Sequence, residues 1–445
     1  MQHITIYDYL LLPLYLYLFY IIVKRRSVKY TDPVVRKHFF NSFYLRMFGS
    51  VAYSLLVQYY YGYGDSFTYY VGSNFLTDQV SSNLGNVSYF FASPQEVYNA
   101  YTTQVGDYNY AGYFAIGSAL FIMKISAALS YLSFNKFLII SLFFGFFSFI
   151  GQWRLFKVFN HINKYKHQNL LAWAVLYSPS IWFWGSGLMK DSVCIGAVGI
   201  ILHILYFSFV NRRFSLKELA LLVFLVFIVW NIKSYIISIL AVGLVSTLLL
   251  KSLTSIKNIL IKSFIITVFF IAMVAVAFLA NFSEQLKTLA EESQQQVLSF
   301  QQSYQAIQQE DETSRATIEM KAIDPSISGI LTYSPIAVFN CLFRPFLWES
   351  RKVIILFTSL ESTLLLLSTL YLLGITRFFG FFKSIFNNEY LFFCFSVSIL
   401  FALIIGFTTY NFGTMVRYKI ILLPFYYFLL VSIFTKFTQQ RATPG

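Results

Sequence analysis

Residues 391–407 read Leu391-Phe-Phe-Cys-Phe-Ser-Val-Ser-Ile-Leu-Phe-Ala-Leu-Ile-Ile-Gly-Phe407 and contain no charged side chain. At about 1.5 Å of rise per helical residue, this run crosses most of a bilayer core of roughly 30 Å. Residues 264–282 have the same character. Stretches of this length and polarity predict transmembrane helices, so the expected fold class is an all-α polytopic membrane protein.

The composition of the whole chain agrees with this reading. Of its 445 residues, 57% are apolar and 12% are charged, and the mean hydropathy is +0.63. Soluble domains are about one-quarter charged, and disordered chains have low hydrophobicity, so both classes are excluded. The three cysteines form no CxxC pair, and neither a disulfide framework nor a zinc site is expected.

The net charge of +14 is interpreted as membrane topology, and no nucleic-acid partner is expected. Basic residues concentrate in six short segments, which hold 20 of the 33 Lys and Arg residues: 24–37, 154–166, 212–217, 251–262, 377–383 and 436–441. All six segments lie on the cytoplasmic side if the chain has about 11 transmembrane helices with its N-terminus outside. The predicted spans are 8–23, 41–61, 137–156, 169–185, 192–209, 217–232, 234–250, 263–281, 354–375, 388–408 and 418–435.

One further apolar stretch, 110–134, is long enough to cross but would reverse the topology of every later basic segment. We therefore predict that it lies along the outer membrane surface as an interfacial helix. Lys124 in its middle and aromatic residues such as Tyr110 and Tyr131 suit that position. The alternative is a twelfth span that violates the charge rule.

The predicted organisation has four parts. An additional N-terminal span and a basic cytoplasmic loop occupy 1–40. A transmembrane module with a first outer loop at 62–136 follows at 41–281. An outer segment at 282–353 is Gln-rich and then returns to the membrane, and C-terminal membrane helices occupy 354–445. The first apolar run is followed, not preceded, by basic residues, so no cleavable signal peptide is expected.

The first candidate functional residue is Asp65, in Gly62-Tyr-Gly-Asp65-Ser-Phe-Thr-Tyr-Tyr70. Two glycines allow a tight exit from the bilayer, and a carboxylate at the water interface is positioned to act as a general base. The alternative is structural, with Asp65 capping a helix that begins at Ser66.

The second candidate is the pair Lys190 and Asp191, after Trp182-Phe-Trp-Gly-Ser-Gly187. The pair stands at the start of a predicted helix, where an anion is favoured and Lys190 adds positive charge. The alternative is an interfacial pair in which the Lys side chain snorkels and Asp191 caps the helix.

The third candidate is a set of single cations at the outer ends of apolar helices: Lys233, Arg344, Arg417 and Lys419. If they converge, they form a site for phosphate or pyrophosphate; taken singly, each is an interfacial anchor. Arg46 inside the second span is predicted to pair with a carboxylate, for which Glu361 is the candidate.

In order along the chain, these elements resemble the GT-C superfamily of membrane glycosyltransferases, in the branch of protein O-mannosyltransferases and aminoarabinose transferases. The similarity begins with an acidic residue after an early span, here Asp65, and an aromatic second loop helix, here 108–120. A span with a basic end, a Ser-Pro motif at Ser178 and the acidic loop at Asp191 come next. An Arg-Tyr pair at Arg417, before a later Pro, completes the order.

This resemblance implies an inverting transferase that uses a polyprenyl-phosphate sugar donor and a glycan, lipid or protein acceptor. It implies a site on the outer face of a bacterial plasma (inner) membrane, surrounded by membrane lipids. Asp65 and Asp191 are the expected catalytic residues. The residues expected to bind substrate are Lys190, Lys233, Arg344, Arg417 and Asp107. No cofactor is required, although a divalent metal is compatible with such a site.

Three features depart from the family pattern: a single acid at the first site, the N-terminal span, and the Gln-rich segment 283–320. Two rival functions therefore stay open. One is a polysaccharide polymerase or ligase acting on lipid-linked oligosaccharide. The other is a non-enzymatic transporter or flippase, which charged residues lining a midplane cavity would favour. A scaffold role for 283–320 is a further alternative.

Overall fold

The computed structural model describes residues 3–106, 108–213, 215–252, 327–350, 353–409 and 412–442. Within these ranges the secondary structure is entirely helical, with turns between the helices, so the all-α fold class is confirmed. The predicted span at 263–281, the Gln-rich segment 283–320 and Asp107 lie outside the described residues. The chain divides into two compact units, Met1–Ser234 and Tyr235–Gly445.

The first unit is built around a long central helix, α7, which packs against α1, α2, α6, α8 and α10. A π-helical turn, Val57–Tyr61, continues α2, and a 3₁₀ helix, Leu84–Phe90, follows α3. The helices are α1 (Ile6–Ser27), α2 (Pro33–Leu56), α3 (Asp65–Ser82), α4 (Pro94–Val105), α5 (Tyr108–Phe114), α6 (Gly117–Ser133), α7 (Phe137–Ile162), α8 (Gln168–Val175), α9 (Pro179–Trp184), α10 (Lys190–Asn211) and the first part of α11 (Leu216–Ser252).

The second unit contains the rest of α11 and six further described α-helices, with α15 at its centre. A 3₁₀ helix, Leu347–Glu349, lies between α12 and α13. Gly406 of α15 lies directly against the backbone of Ala337 in α12, so these two helices approach closely. The helices are α12 (Ile327–Phe343), α13 (Val353–Thr376), α14 (Phe378–Phe386), α15 (Glu389–Thr408), α16 (Phe412–Lys419) and α17 (Leu423–Ala442).

Six of the described helices are long and apolar enough to cross a membrane, and a seventh span results if α16 and α17, bent by 62°, count as one. These helices indicate a polytopic membrane protein, while the total of about 11 spans stays a prediction. The predicted pair 217–232 and 234–250 corresponds to α11, which is interrupted by the non-helical backbone of Lys233 at φ −150° and ψ 81°.

The predicted span at 169–185 is broken in the structure. Residues 168–175 form α8 and residues 179–184 form α9, and each helix is far too short to cross a bilayer. Pro179 is the physical reason, because it occupies the first turn of α9 and has no N–H with which to continue a preceding helix. The broken segment leads directly into the turn before α10.

The apolar stretch at 110–134 is divided between α5 and α6. The longer helix, α6, has 17 residues, or about 25 Å, which is less than the hydrocarbon thickness. Lys124 on α6 donates a hydrogen bond to the Ala92 carbonyl at 2.8 Å, and burial lowers the pKa of its ammonium. These features favour the interfacial reading, which stays a prediction.

The N-terminal helix α1 is an integral part of the first unit. Asp8 is fully buried and accepts hydrogen bonds from the backbone and hydroxyl of Thr5 at 2.9 and 2.8 Å. The same carboxylate accepts from the backbone N–H of Leu138 at 3.0 Å, in the first turn of α7. One side chain therefore satisfies orphan donors at the starts of two helices.

Close helix packing in the first unit depends on glycines of α7 and α10. A Cβ atom at Gly151 would meet the backbone of Gly196, and one at Gly199 would meet the backbone of Gly151. Backbone atoms cannot move aside as a flexible side chain can. We expect Gly151→Ala to destabilise the protein by about 1–3 kcal/mol through overpacking, measured as a lower thermal unfolding midpoint in detergent.

Gly374→Ala is the matched control, because a Cβ atom there meets nothing within 4 Å on an exposed helix face. Its unfolding midpoint should equal or slightly exceed that of the parent protein, because alanine favours a helix more than glycine does. Equal midpoints for the two variants would contradict the packing argument.

The topology prediction can be tested by cysteine labelling, because all three native cysteines are buried. Leu132 at the end of α6 and Lys166 after α7 are both exposed in the structure. With eleven spans, a membrane-impermeant thiol reagent added outside should label Leu132→Cys and spare Lys166→Cys.

Detergent-solubilised protein is the control, since both variants should then react. The reverse pattern in intact cells would mean that 110–134 crosses the membrane as a twelfth span.

Candidate functional site

The first part of the site is the turn that leads from the π-helical segment into α3. Gly62 has φ +70° and Gly64 has φ +135°, values that favour glycine, so the predicted tight turn is present. Gly64 is the N-cap residue and provides no side-chain cap. Asp65 is the first residue of α3, half-buried, and accepts a hydrogen bond from the Tyr113 hydroxyl at 3.5 Å.

The second part is the broken segment before α10, which a buried cation on α2 holds in place. The Nη1 atom of Arg46 donates to the carbonyls of Ile181 and Gly185, both at 2.9 Å, and to the Ser148 hydroxyl at 3.1 Å. The predicted carboxylate partner of Arg46 is therefore wrong, because the carbonyl end of α9 takes that place. Glu361 instead accepts a hydrogen bond from Tyr427 at 2.8 Å.

Two more residues on the same face of α2 continue this contact. Ser50, one turn after Arg46, donates to the Ser186 carbonyl at 2.8 Å. Tyr53 hydrogen-bonds the Met189 sulfur at 2.7 Å, and its ring fills the space where a Cβ atom at Gly187 would lie. Helix α2 therefore fixes the turn at 185–189, and with it the start of α10.

The two candidate motifs meet at this turn. The Ser66 hydroxyl, next to Asp65, donates to the Leu188 carbonyl at 2.9 Å. The Lys190 ammonium lies 5.8 Å from the ring centroid of Tyr69, one turn after Asp65 on α3, and donates to the Ser118 hydroxyl at 2.8 Å. Residues more than 120 positions apart are thus joined by direct contacts.

Asp191 and Lys233 form an ion pair at the same end of the first unit. Their charged atoms are 2.5 Å apart, and the side chains are only 1% and 9% exposed. Lys233 is also the residue whose non-helical backbone interrupts α11. The break in α11 and the salt bridge are therefore at the same residue. The neighbours of Asp65 on α3 therefore contact the turn that leads to Lys190 and Asp191, and Asp191 pairs with Lys233, while a shared site of these residues stays a prediction.

The side chains at this end of the first unit could accept a proton and bind an anion. The Asp65 carboxylate, half-exposed beside a phenol, is a candidate proton acceptor. The Lys190 ammonium, held over an aromatic ring, is a candidate anion ligand. Asp191 is too buried to contact a large substrate directly, and its carboxylate orients the Lys233 ammonium.

The second unit holds the other predicted cations. Arg344 makes a two-point salt bridge to Glu349, and its guanidinium carbon lies 5.2 Å from the ring centroid of Phe412, which opens α16. Arg417 lies further along α16, with its guanidinium 5.3 Å from the ring centroid of Tyr418. Arg344 and α16 are thus neighbours. Lys233 belongs to the first unit, so the convergence of all three cations stays a prediction.

Lys419 is fully buried at the end of α16. Its ammonium donates to the Arg344 carbonyl at 3.0 Å and to the Ser362 hydroxyl at 2.8 Å. A lysine at an apolar helix end was predicted as an anchor or an anion ligand, but here it ties α16 to α13. This contact is the reason that Arg344 and α16 are held together.

Sequence reasoning missed the neutral residues of the first site, namely Tyr53, Ser66, Tyr69 and Ser118. Ser66 and Tyr69 lie in the Asp65 stretch and Ser118 lies in 108–120, but no role could be assigned to them because their partners are far away along the chain. Arg46 did give a signal, as a charge inside an apolar run.

Among the described residues, no group of three or more His, Cys, Asp or Glu side chains is placed to hold a metal ion. Comparison with protein-family models, with curated proteins and with solved structures finds no match to this chain.

The buried ion pair gives a direct prediction. Asp191→Asn leaves the Lys233 ammonium without its counter-charge, and Lys233→Met does the same to the carboxylate. Each single change should cost about 3–5 kcal/mol of stability, because an uncompensated charge then stays buried. The thermal unfolding midpoint in detergent measures the loss.

The double variant Asp191→Asn/Lys233→Met is the internal control, since it removes both charges at once. Its loss of stability should be clearly smaller than the sum of the losses in the two single variants. Strictly additive losses would mean that the two charges do not interact.

Proposed function

We propose that the protein is a membrane glycosyltransferase that moves a sugar from a polyprenyl-phosphate donor to a hydroxyl of a glycan, lipid or protein acceptor. The proposal places the reaction on the outer face of a bacterial plasma membrane. One observation carries it: the Asp65 motif and the Lys190-Asp191 motif, distant in sequence, share one end of the first unit. The expected order of motifs would have no chemical meaning if these two stretches lay apart.

In this mechanism Asp65 acts as the general base. Its carboxylate accepts the proton of the acceptor hydroxyl, whose oxygen attacks the anomeric carbon while the bond to the donor phosphate breaks. The attack from the opposite side inverts the configuration. The Tyr113 hydroxyl, which donates to Asp65, orients the carboxylate before the acceptor arrives.

Cations would stabilise the negative charge left on the phosphate. Lys190 is the first candidate, because its ammonium is positioned by Ser118 and Tyr69 at the same end of the unit as Asp65. Lys233 is oriented by Asp191. Arg344 and Arg417 of the second unit are proposed to contact the donor phosphate, and Asp107 is proposed to bind substrate.

A transporter is the second candidate, favoured by the buried charges of the second unit. Glu361 is 7% exposed on the apolar helix α13, and Lys419 is 1% exposed at the end of α16. Ionisable groups inside membrane helices commonly mark a transport pathway. The proposed enzyme and a transporter differ in the product, because only the enzyme joins sugar to acceptor.

The test is Asp65→Asn, which keeps the size and hydrogen-bonding capacity of the side chain but removes the proton acceptor. Purified protein in lipid vesicles would be mixed with a radiolabelled polyprenyl-phosphate sugar and with acceptors extracted from membranes together with the lipids. Transfer should fall by about 10²–10⁴-fold, the usual contribution of a general base.

Asp78→Asn is the matched control, because Asp78 is an exposed carboxylate on the same helix. It should transfer at the rate of the parent protein. Full activity in Asp65→Asn would disprove the base assignment, and sugar-lipid movement without any joined product would favour the transporter.

A further inference from the structure

The cytoplasmic half of α7, as predicted by the charge rule, carries two cations that the proposed function does not use. Arg154 and Lys157 stand one turn apart and are half-buried by the protein itself. Neither forms an ion pair with any of the residues that the structure describes. By contrast, Lys233, Arg344 and Lys251 each have a carboxylate partner.

Two more cations are brought to Arg154 and Lys157 by the turn between α1 and α2. The Trp153 indole donates a hydrogen bond to the Tyr30 hydroxyl at 2.6 Å, and the two rings are 5.3 Å apart. This contact fixes the turn against α7. The contact brings the exposed cations Arg26 and Lys29, which precede Tyr30, to the part of α7 that carries Arg154 and Lys157.

Helix α10 closes the other side of the cluster. The Lys157 ammonium lies 5.9 Å from the ring centroid of Phe207, and His203 packs on the same ring at 4.7 Å. The Nδ1 atom of His203 is buried without a partner among the described residues. The glycine contacts between α7 and α10 hold these side chains at close range.

Two acids near this part of the chain, Glu218 and Asp32, accept hydrogen bonds at the starts of their own helices. Glu218 attracts Arg154 electrostatically, but its carboxylate accepts a hydrogen bond from the backbone N–H of Ser215 at 3.2 Å and so caps its own helix. Asp32 accepts from the Val34 backbone at 2.8 Å and from Gln168 at 3.3 Å. Both carboxylates keep their charge, but neither forms an ion pair with Arg154 or Lys157, so this part of the first unit holds four cations and two capping acids.

We propose that this basic cluster, defined by Arg26, Lys29, Arg154 and Lys157, binds the phosphate of an anionic phospholipid headgroup. Arg154 and Lys157 are half-buried, with Arg26 and Lys29 exposed, and the repulsion between the two half-buried cations is strengthened by reduced dielectric. A bound anion removes that cost. Phosphate fits because Arg can contact it at two points and Lys at one. A lipid is the source because the cluster lies at the ends of the apolar helices α1 and α7, at headgroup depth.

The experiment uses the full chain in detergent, with Arg154→Gln/Lys157→Gln as the test variant. Native mass spectrometry would measure binding of phosphatidylglycerol, with phosphatidylcholine as the zwitterionic reference. Each charge-assisted contact is worth roughly ten- to a hundredfold in affinity. The test variant should lose at least about tenfold in phosphatidylglycerol affinity, with phosphatidylcholine binding unchanged.

Lys166→Gln/Arg213→Gln is the control, because it removes the same charge from exposed residues nearby. It should bind phosphatidylglycerol as the parent protein does. Equal binding by the test and control variants would overturn the proposal. Displacement of the lipid by millimolar inorganic phosphate, but not by chloride, would support the phosphate site and assign it to a soluble phosphate compound.

Stability provides a second readout that does not depend on lipid. If the cations repel one another in the empty site, the lipid-free test variant should unfold no earlier than the control variant. A clearly lower midpoint would show that Arg154 and Lys157 are structural and would contradict the proposal.

Discussion

The hydrogen bonds from Arg46 to the carbonyl end of α9 determine where the rest of the candidate site lies. A helix that ends inside a protein leaves carbonyl oxygens without partners, and each needs a donor. Arg46 provides that donor from α2 to two carbonyls at once. Because these contacts fix the chain up to Gly185, they also fix the turn whose Leu188 carbonyl receives Ser66.

The same constraint explains the use of polar residues inside an apolar bundle. The broken segment exposes carbonyls at two places, and a different helix satisfies each one. Gln152 on α7 donates to the Val175 carbonyl at the end of α8 at 2.7 Å, as Arg46 does at the end of α9. A segment interrupted by proline thus needs buried donors on its neighbours, and these donors make its position unique.

The sequence predicts the long apolar helices well because their length and polarity need no partner to be recognised. Leu391 to Phe407 lies within α15, and the glycine turn before Asp65 has the expected positive φ values. It predicts interrupted helices poorly: 169–185 has the hydropathy of a span, but the effect of Pro179 depends on donors elsewhere. For the candidate site, the sequence singles out charged residues, whereas the contacts of Ser66 and Tyr69 could not be predicted, because their partners lie more than 120 positions away.

The topology prediction and the candidate site depend on different properties of the same basic residues. Lys233 and Arg344 count as basic residues whether or not they are paired, and each forms a salt bridge with a carboxylate. The segments 24–37 and 154–166 hold ten of the basic residues that the topology prediction uses, and none of these ten forms an ion pair with a residue that the structure describes. A paired cation is nevertheless the one whose position is best defined, because a buried salt bridge holds its geometry. The topology prediction therefore uses only the number and location of the basic residues. A site depends instead on the partners that hold each basic side chain in place.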